Sequence, residues 1–154
     1  MPDAVFDLNP LRALTELRLI KIDADRLFGL HNFTAQLKYV QCRRSIPSLH
    51  YFFVLCAGDE VDSARPWLSL ETVDCSGNSL LDMEHALHSF IAVKKLDLSD
   101  NSLQTISKDI KHMCSIEELN LNYNQITSLR YGRFTGSPSV AAVVAAAAAA
   151  QARA

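Results

Sequence analysis

The sequence has no marked excess of charge of either sign. Its 15 lysines and arginines nearly balance 17 aspartates and glutamates, which gives a formal net charge of -2 in 154 residues. Because nucleic-acid-binding domains usually carry a strong basic excess, this balance argues against a nucleic-acid partner. The chain also lacks the run of about 18 apolar residues that a membrane span requires. Its first residues include Asp3, Asp7 and Pro10 and no apolar signal segment, so we expect a cytoplasmic protein.

Motifs for catalysis and cofactor binding are missing as well. None of the five glycines falls in a GxGxxG or GxxxxGK phosphate loop, and no serine lies in a GxSxG turn. The cysteines, Cys42, Cys56, Cys75 and Cys114, have no CxxC or zinc-ligand spacing, which indicates free thiols in a reducing compartment. The sequence therefore predicts a protein that is not an enzyme and needs no cofactor.

What the sequence does contain is an internal repeat. Three segments follow the pattern LxxLxLxxNxL or a close variant, namely LETVDCSGNSL from Leu70, VKKLDLSDNSL from Val93 and IEELNLNYNQI from Ile116, at a period of 23 residues. Two looser segments begin at Leu14 and Leu37, again 23 residues apart, and about ten extra residues precede the third repeat. Pattern and period together predict leucine-rich repeats that start near residues 14, 37, 70, 93 and 116.

This repeat predicts an α/β fold, a curved leucine-rich-repeat solenoid of about five repeats. Apolar side chains at motif positions 1, 4 and 6 lie on one side of a short strand. Stacked repeats bury these side chains in a shared core beneath a parallel sheet on the concave side. Segments 25–36, 47–57, 82–92 and 107–115 have helical periodicity, so we expect helices on the convex side.

The domain organisation follows from the same repeat. We expect residues 1–13 to form a partial N-terminal cap, 14–132 the repeat domain and 133–154 a low-complexity, alanine-rich tail. The tail lacks an amphipathic stripe, which predicts that it does not dock firmly on the fifth repeat. An uncapped terminal repeat exposes apolar surface and a strand edge, so self-association through that end is a further expectation. A truncated fragment without independent function is one alternative interpretation of the same features.

Three asparagines, Asn78, Asn101 and Asn124, occupy position 9 of the regular repeats. An asparagine side chain there can bond the backbone of the turn that leaves the strand, in its own repeat and in the next. The two looser repeats have Ile22 and Ser45 at this position. We therefore predict a structural asparagine ladder that covers the three regular repeats.

These motifs carry a resemblance to known families. The repeat length resembles the intracellular family that includes the regulatory leucine-rich-repeat subunit of protein phosphatase one. The connector CAGD and PWLSL, followed by VDCSGNSL, is similar to the repeat region of the family that interacts with the liver kinase B tumour suppressor and its plant relatives. The resemblance implies a protein–protein interaction scaffold or regulatory binding module linked to kinase or phosphatase signalling.

The expected contact surface is the concave face of the sheet. Its rows are basic in the first two repeats and acidic in the next two, where Asp74 and Asp97 put like charges on neighbouring strands. An acidic patch of this kind suits a basic partner segment, whereas the alternative is a solvated face whose charges cancel. The residues predicted to contact a partner protein are Arg18, Tyr39, Gln41, Arg43, Asp74, Asp97, Asn120 and Tyr123.

Other functions stay open at this point. A ribonucleoprotein assembly role would use the Arg43–Arg44 region. A metal site would use His85 and His88, three residues apart, although a solvated helix face is the plainer interpretation. Cys42 and Cys75 share motif position 6 in adjacent repeats, where two small buried apolar side chains are expected in preference to a redox pair.

Overall fold

The computed structural model describes residues 4–55, 66–83 and 86–126 of the chain. In this part the chain forms one parallel sheet of five strands in the order β2-β4-β5-β6-β7, and a separate pair β1-β3. The strands are β1 (Phe6–Asp7), β2 (Glu16–Ile20), β3 (Leu27–Phe28), β4 (Tyr39–Arg43), β5 (Thr72–Asp74), β6 (Lys95–Asp97) and β7 (Glu118–Asn120). Parallel strands joined by short helical segments make this an α/β leucine-rich-repeat fold.

The strand register confirms the predicted core rows. Leu17, Val40, Val73, Leu96 and Leu119, which share motif position 4, pair with one another in sequence across the five strands. All but Leu119, which is partly buried, lie in the core, and so do the five residues of position 6. Because side chains alternate between the faces of a strand, positions 3, 5 and 7 point away from this core.

The segments that return the chain to the sheet are helical, but they are shorter and tighter than expected. In the described ranges four are 3-10 helices, Ala24–Arg26, Leu30–Phe33, Ala86–Ser89 and Lys108–His112, and one is a π-helix, Tyr51–Leu55. A 3-10 helix rises about 2.0 Å per residue against 1.5 Å in an α-helix. It therefore covers the return path with fewer residues, which suits a period of 23.

The last of these helices begins at a capped position. Ser107 is the N-cap, and its hydroxyl oxygen accepts the N–H of Asp109 at 3.1 Å. Ile110, one turn further on, is fully buried and attaches the helix to the core. The cap and the apolar anchor together fix how the polar side chains of this helix are presented.

The N-terminal segment packs beside the first repeat. Strand β1 pairs in parallel with β3, Leu8 is buried, and its N–H donates to the carbonyl of Phe28 at 2.9 Å. The side chain of Asn32 donates to that of Asn9 at 2.6 Å, 23 residues earlier in the chain. Residues 4–13 thus run beside the return segment of the first repeat, one period before it. Residues 133–154, predicted as the tail, lie outside the described residues.

An aromatic cluster fills the core beneath the long connector. Phe53 contacts Phe52, Trp67 and Phe90 in edge-to-face geometry, with ring centroids 4.8, 5.6 and 4.8 Å apart. The indole N–H of Trp67 donates to the carbonyl of Phe53 at 3.0 Å, so the buried donor is satisfied. Trp67 is fully buried in the core, while residues 56–65 of the connector lie outside the described residues.

One backbone feature recurs at the end of each strand of the five-stranded sheet. Motif position 8, which follows the strand, has a left-handed conformation after all five strands, with φ between 51° and 69°. Glycine, which adopts this conformation freely, holds the position only once. At the other four positions a residue with a side chain adopts this conformation. The turn therefore fixes the direction in which each of these side chains leaves the backbone. The residues are Lys21, Arg44, Gly77, Asp100 and Tyr123.

The core assignment can be tested at Leu98. This side chain is fully buried at position 6 of the most regular repeat, so Leu98→Ala should reduce the free energy of unfolding by about 2–5 kcal/mol. Leu81→Ala is the matched control because Leu81 is 68% exposed. Chemical denaturation measures both, and equal losses in the two variants would contradict the core register.

Candidate protein-binding face of the sheet

The outward face of the sheet consists of motif positions 3, 5 and 7. The registered strands place five side chains of position 3 in one row and five of position 5 in the next. Neighbouring side chains in a row lie about 4.8 Å apart, the spacing of adjacent strands. The row of position 3 is Glu16, Tyr39, Thr72, Lys95 and Glu118, and the row of position 5 is Arg18, Gln41, Asp74, Asp97 and Asn120.

Asp74 lies at the centre of this face and is almost fully bonded. One carboxylate oxygen accepts hydrogen bonds from Gln41 Nε2 and from an Arg43 guanidinium nitrogen, both at 2.9 Å. The other accepts the N–H and the hydroxyl of Ser76 at 3.0 and 2.7 Å. With its side chain 12% exposed, Asp74 is a positioned carboxylate rather than a solvated one.

These contacts decide the ionisation of Asp74. Burial raises the pKa of its carboxyl group, but the hydrogen bonds from Ser76, Gln41 and Arg43 favour the charged form and outweigh burial. The net result is a pKa below the ordinary value for aspartate. Asp74 is therefore a carboxylate at neutral pH.

The predicted acidic patch needs correction at this point. Asp74 and Asp97 are register partners on β5 and β6, as expected. However, Arg43 from β4 is paired with Asp74, so the charge of Asp74 is largely compensated. The same ion pair occupies the guanidinium of Arg43. This argues against the ribonucleoprotein role that was considered for Arg43–Arg44. Sequence alone could not show this, because Arg43 lies two residues beyond the register partner of Asp74 on β4. Only its long side chain brings the guanidinium to that carboxylate.

The strand ends repeat a small polar motif. The carboxylate of Asp97 accepts the N–H and the hydroxyl of Ser99 at 2.9 and 2.6 Å, as that of Asp74 does from Ser76. The side-chain oxygen of Asn120 accepts the N–H of Asn122 at 3.0 Å. The position-5 side chains of Asp74, Asp97 and Asn120 are thus held by the turn that follows each of them.

Six of the eight predicted contact residues line two depressions. One, of about 390 Å³, lies over the sheet, and the other, of about 600 Å³, lies over the turns at the strand ends. Arg18 stacks on the ring of Tyr39, with the guanidinium carbon 5.0 Å from the ring centroid. Tyr39, Asp74, Asp97 and Asn120 line the first depression, Arg43 and Tyr123 line the second, and Arg18 and Gln41 line neither.

Sequence reasoning missed three residues of the first depression. Thr72, Lys95 and Glu118 belong to position 3 and line it beside Tyr39. The signal was present, because positions 3, 5 and 7 alternate with the buried positions 4 and 6 along each strand. Lys95 and Glu118 also form an exposed ion pair at 3.4 Å, so the depression presents charges of both signs.

The asparagine side chains lock each turn to a neighbouring repeat. Asn101 Oδ1 accepts the N–H groups of Asn78 and Leu80, each at 3.0 Å. Its Nδ2 donates to the carbonyls of Cys75 and Leu98, also at 3.0 Å. Three of these four partners belong to the preceding repeat. The sequence predicted bonds to the following repeat, and the structure shows bonds to the preceding one instead.

Asn78 and Asn124 make the same type of bond. Asn78 Oδ1 accepts the N–H of Ser45 at 3.0 Å, and Asn124 Oδ1 accepts that of Leu103 at 3.0 Å. Each also donates to carbonyl groups of its own repeat and the one before. Both atoms of the amide reach the preceding repeat, since the oxygen accepts its N–H groups and the nitrogen donates to one of its carbonyl groups. Every ladder asparagine therefore completes the turn of the repeat that precedes it.

Ser45 takes over part of this work in the second repeat. It is buried at the asparagine position, where its hydroxyl accepts the N–H of Ile22 at 3.3 Å and donates to the carbonyl of Arg43 at 2.7 Å. The sequence signal was a small polar residue in place of asparagine. A serine has one hydroxyl instead of an amide, so it can serve fewer backbone groups.

The remaining candidate residues are placed as follows. Cys42 and Cys75 are both fully buried free thiols, and burial raises the pKa of Cys75 well above its ordinary value. Cys75 is therefore protonated at neutral pH, and both cysteines are small apolar side chains of the core. His88 lies exposed on the helix Ala86–Ser89, whereas His85 lies outside the described residues.

Within the described ranges, no helix has the length and apolar character needed to cross a membrane.

Comparison with known proteins gives the class to which this geometry belongs. The family model for the leucine rich repeat matches residues 68–126 and 91–142. That segment is therefore a leucine-rich-repeat region, as the motif predicts.

Individual relatives confirm the closer resemblance. The chain is similar to the serine/threonine-protein kinase 11-interacting protein of Mus musculus, with 34% identity over 85 residues, or 55% of this chain. The proteins of the same name from Gallus gallus and Homo sapiens are 32% and 30% identical over 85 and 93 residues, or 55% and 60% of this chain. In each case the match spans about 8% of the length of the relative.

Asp74 gives a prediction about pH. Because its folded pKa is depressed, it contributes stability that is fully present above the unfolded pKa, about 3.9, and is lost as pH falls through the folded value. Asp74→Asn should cost about 1–3 kcal/mol at pH 7 and flatten this acid dependence. Urea denaturation at pH 7 and below pH 4 measures both. The exposed Asp23, whose side chain caps no helix, is the control, and an equal effect of Asp23→Asn would contradict the argument.

The ladder gives a second prediction. Asn101→Ala removes partners from five backbone groups in two repeats, so it should reduce the free energy of unfolding by about 2–4 kcal/mol. Asn32→Ala removes one exposed side-chain bond and should cost under about 1 kcal/mol. If denaturation midpoints of the two variants coincide, the asparagine ladder does not stabilise the fold.

Proposed function

We propose that this chain is a non-enzymatic protein-binding module whose outward sheet face contacts another protein. The depression lined by Tyr39, Lys95, Asp97 and Glu118 is the observation that carries the proposal. It is open and contains charges of both signs. Lys95 is paired with Glu118 on the next strand, and Asp97 is bonded to Ser99 in the turn that follows its own strand. Such a surface suits a polypeptide, which can match charges and fill a shallow concavity with an aromatic or aliphatic side chain.

The shape we propose for the module is a solenoid of five repeats, with the outward face on its concave side. Five registered strands at a repeat period of 23 residues support this arrangement. A cytoplasmic location is part of the same proposal, because buried thiols such as Cys42 and Cys75 suit a reducing compartment.

The partner we propose is a serine/threonine kinase of the kind named in the relatives. Those proteins are called serine/threonine-protein kinase 11-interacting proteins, and the identity covers more than half of this chain. The module would then act as a scaffold or regulatory unit in kinase or phosphatase signalling. Kinase binding can be tested directly on this chain.

Two variants and a matched control test this proposal. Tyr39→Ala removes an aromatic side chain from the depression, and Lys95→Glu reverses a charge beside it. Lys95 is exposed and its ion pair with Glu118 contributes little to stability, so the fold should be unaffected. The control is Lys108→Glu, the same charge change on the exposed helix Lys108–His112, away from the sheet.

Binding is measured by titration calorimetry with purified serine/threonine-protein kinase 11. The unaltered chain should bind, each face variant should weaken binding at least about tenfold, and the control should leave it unchanged. Equal affinity of all variants would place the interface elsewhere. Absence of binding by the unaltered chain would contradict the choice of kinase.

A further inference from the structure

Two successive return helices bring a second group of side chains together, away from the outward face. His88 comes from the helix Ala86–Ser89, and Asp109 and His112 come from the helix Lys108–His112. One potential ligand atom from each residue lies within 4.8 Å of the other two. Within the described ranges this is the only group of three or more histidine, cysteine, aspartate or glutamate side chains with such spacing.

The contacts inside the group are close. His88 Nε2 lies 3.3 Å from Asp109 Oδ1, and the imidazole rings of His88 and His112 have centroids 4.3 Å apart at an interplanar angle of 33°. His88 and His112 are exposed, so their rings can rotate and a solvated ion can reach them. The carboxylate of Asp109 is more enclosed, with 17% of its side chain exposed.

Both supporting helices are fixed to the core. Leu87 and Ile110, next to His88 and Asp109 in sequence, are fully buried. The N-cap bond from Ser107 to the N–H of Asp109 holds the start of the second helix. The backbone positions of the three side chains are therefore set by the stacking of the repeats.

We propose that His88, Asp109 and His112 bind a divalent transition-metal ion, with Zn²⁺ as the best match. Two imidazole nitrogens and one carboxylate oxygen form a ligand set that zinc accepts, whereas Ca²⁺ and Mg²⁺ prefer oxygen ligands throughout. Zinc–ligand bonds of about 2.0–2.2 Å place two ligands of one ion at most about 4 Å apart. Small rotations of the two exposed imidazole rings bring the group within that limit.

The ion would join two neighbouring repeats. Its three protein ligands come from return helices of successive repeats, and a fourth position would remain open to water or to a side chain of a partner. A ligand that binds the folded chain and not the unfolded one raises the stability of the fold. Zinc would thus stabilise the stacking of these two repeats, independently of what the outward face binds.

The test uses the full chain, stripped of metal with a chelator and kept reduced. Titration with ZnCl₂ should show one site per chain and raise the midpoint of thermal unfolding, whereas MgCl₂ should do neither. His88→Ala and His112→Ala should each weaken zinc binding at least about tenfold, the loss that even groups orienting a ligand can cause. Asp109→Asn, which keeps the shape of the side chain, should weaken it in the same direction.

Three control variants separate this site from other zinc ligands. His31→Ala removes an imidazole from the helix Leu30–Phe33, and Cys114→Ser removes an exposed thiol. His85→Ala tests the pair suggested by the sequence. All three should leave the affinity unchanged. Co²⁺ gives a separate readout, since its visible absorption should appear with the unaltered chain and disappear with His112→Ala.

Several results would overturn the proposal. One is the absence of zinc binding at millimolar concentration, which would mean that the two rings merely stack beside an ordinary hydrogen bond. Another is unchanged affinity in the His88 and His112 variants. Loss of the site in the Cys114 or His85 variant alone would assign the ion to other ligands. None of these results bears on kinase binding by the outward face.

Discussion

The side-chain amide of Asn101 bonds the turns of two repeats at once, and the order of the sheet depends on this interaction. After each strand the backbone enters the interior, where its N–H and carbonyl groups need partners. Asn101 supplies four of them at 3.0 Å, and Asn78 and Asn124 repeat the arrangement on either side. Apolar rows alone favour contact between repeats. Fully bonded amides allow only one alignment of those rows, because any shift would leave buried polar groups unsatisfied.

The same alignment of the repeats also fixes the positions of the side chains on the outward face. Once the register is fixed, side chains of positions 3 and 5 stand beside their counterparts at the strand spacing, and polar groups can be shared between strands. Asp74 is the clearest case, since it receives bonds from Gln41 and Arg43 on one neighbouring strand and from Ser76 in the turn that follows its own strand. The face is therefore already organised before a partner arrives, which reduces the entropy lost on binding. An open, preformed and mixed-charge surface is better suited to a protein than to a small molecule, which requires a deeper enclosure.

Sequence periodicity was sufficient for the five strands of the main sheet, their register and the buried rows, because a period of two within each motif and of 23 between motifs leaves few alternatives. It did not predict the pair β1-β3. It was not sufficient where a contact depends on side-chain length or on two repeats together. The pair of Arg43 and Asp74 joins different motif positions on neighbouring strands, and Lys95 was overlooked although it alternates with the core positions. The group around His88 and His112 was missed because histidines were compared within one helix. Its members lie on successive helices, about one period apart, and meet only when the repeats stack.

The backward direction of the asparagine bonds gives the fold a polarity. The amide of Asn101 completes the turn that contains Asn78 and Leu80, and that of Asn124 completes the turn at Leu103. During synthesis from the N-terminus, each turn must therefore wait for the following repeat before its N–H groups are bonded. A nascent chain that has just produced Leu80 still lacks the residue that will hold this turn, some 21 positions further on. In such a chain the N–H groups of the newest turn always lack their partners until the next repeat has been synthesised. Each new repeat then bonds the turn before it and leaves its own turn unbonded.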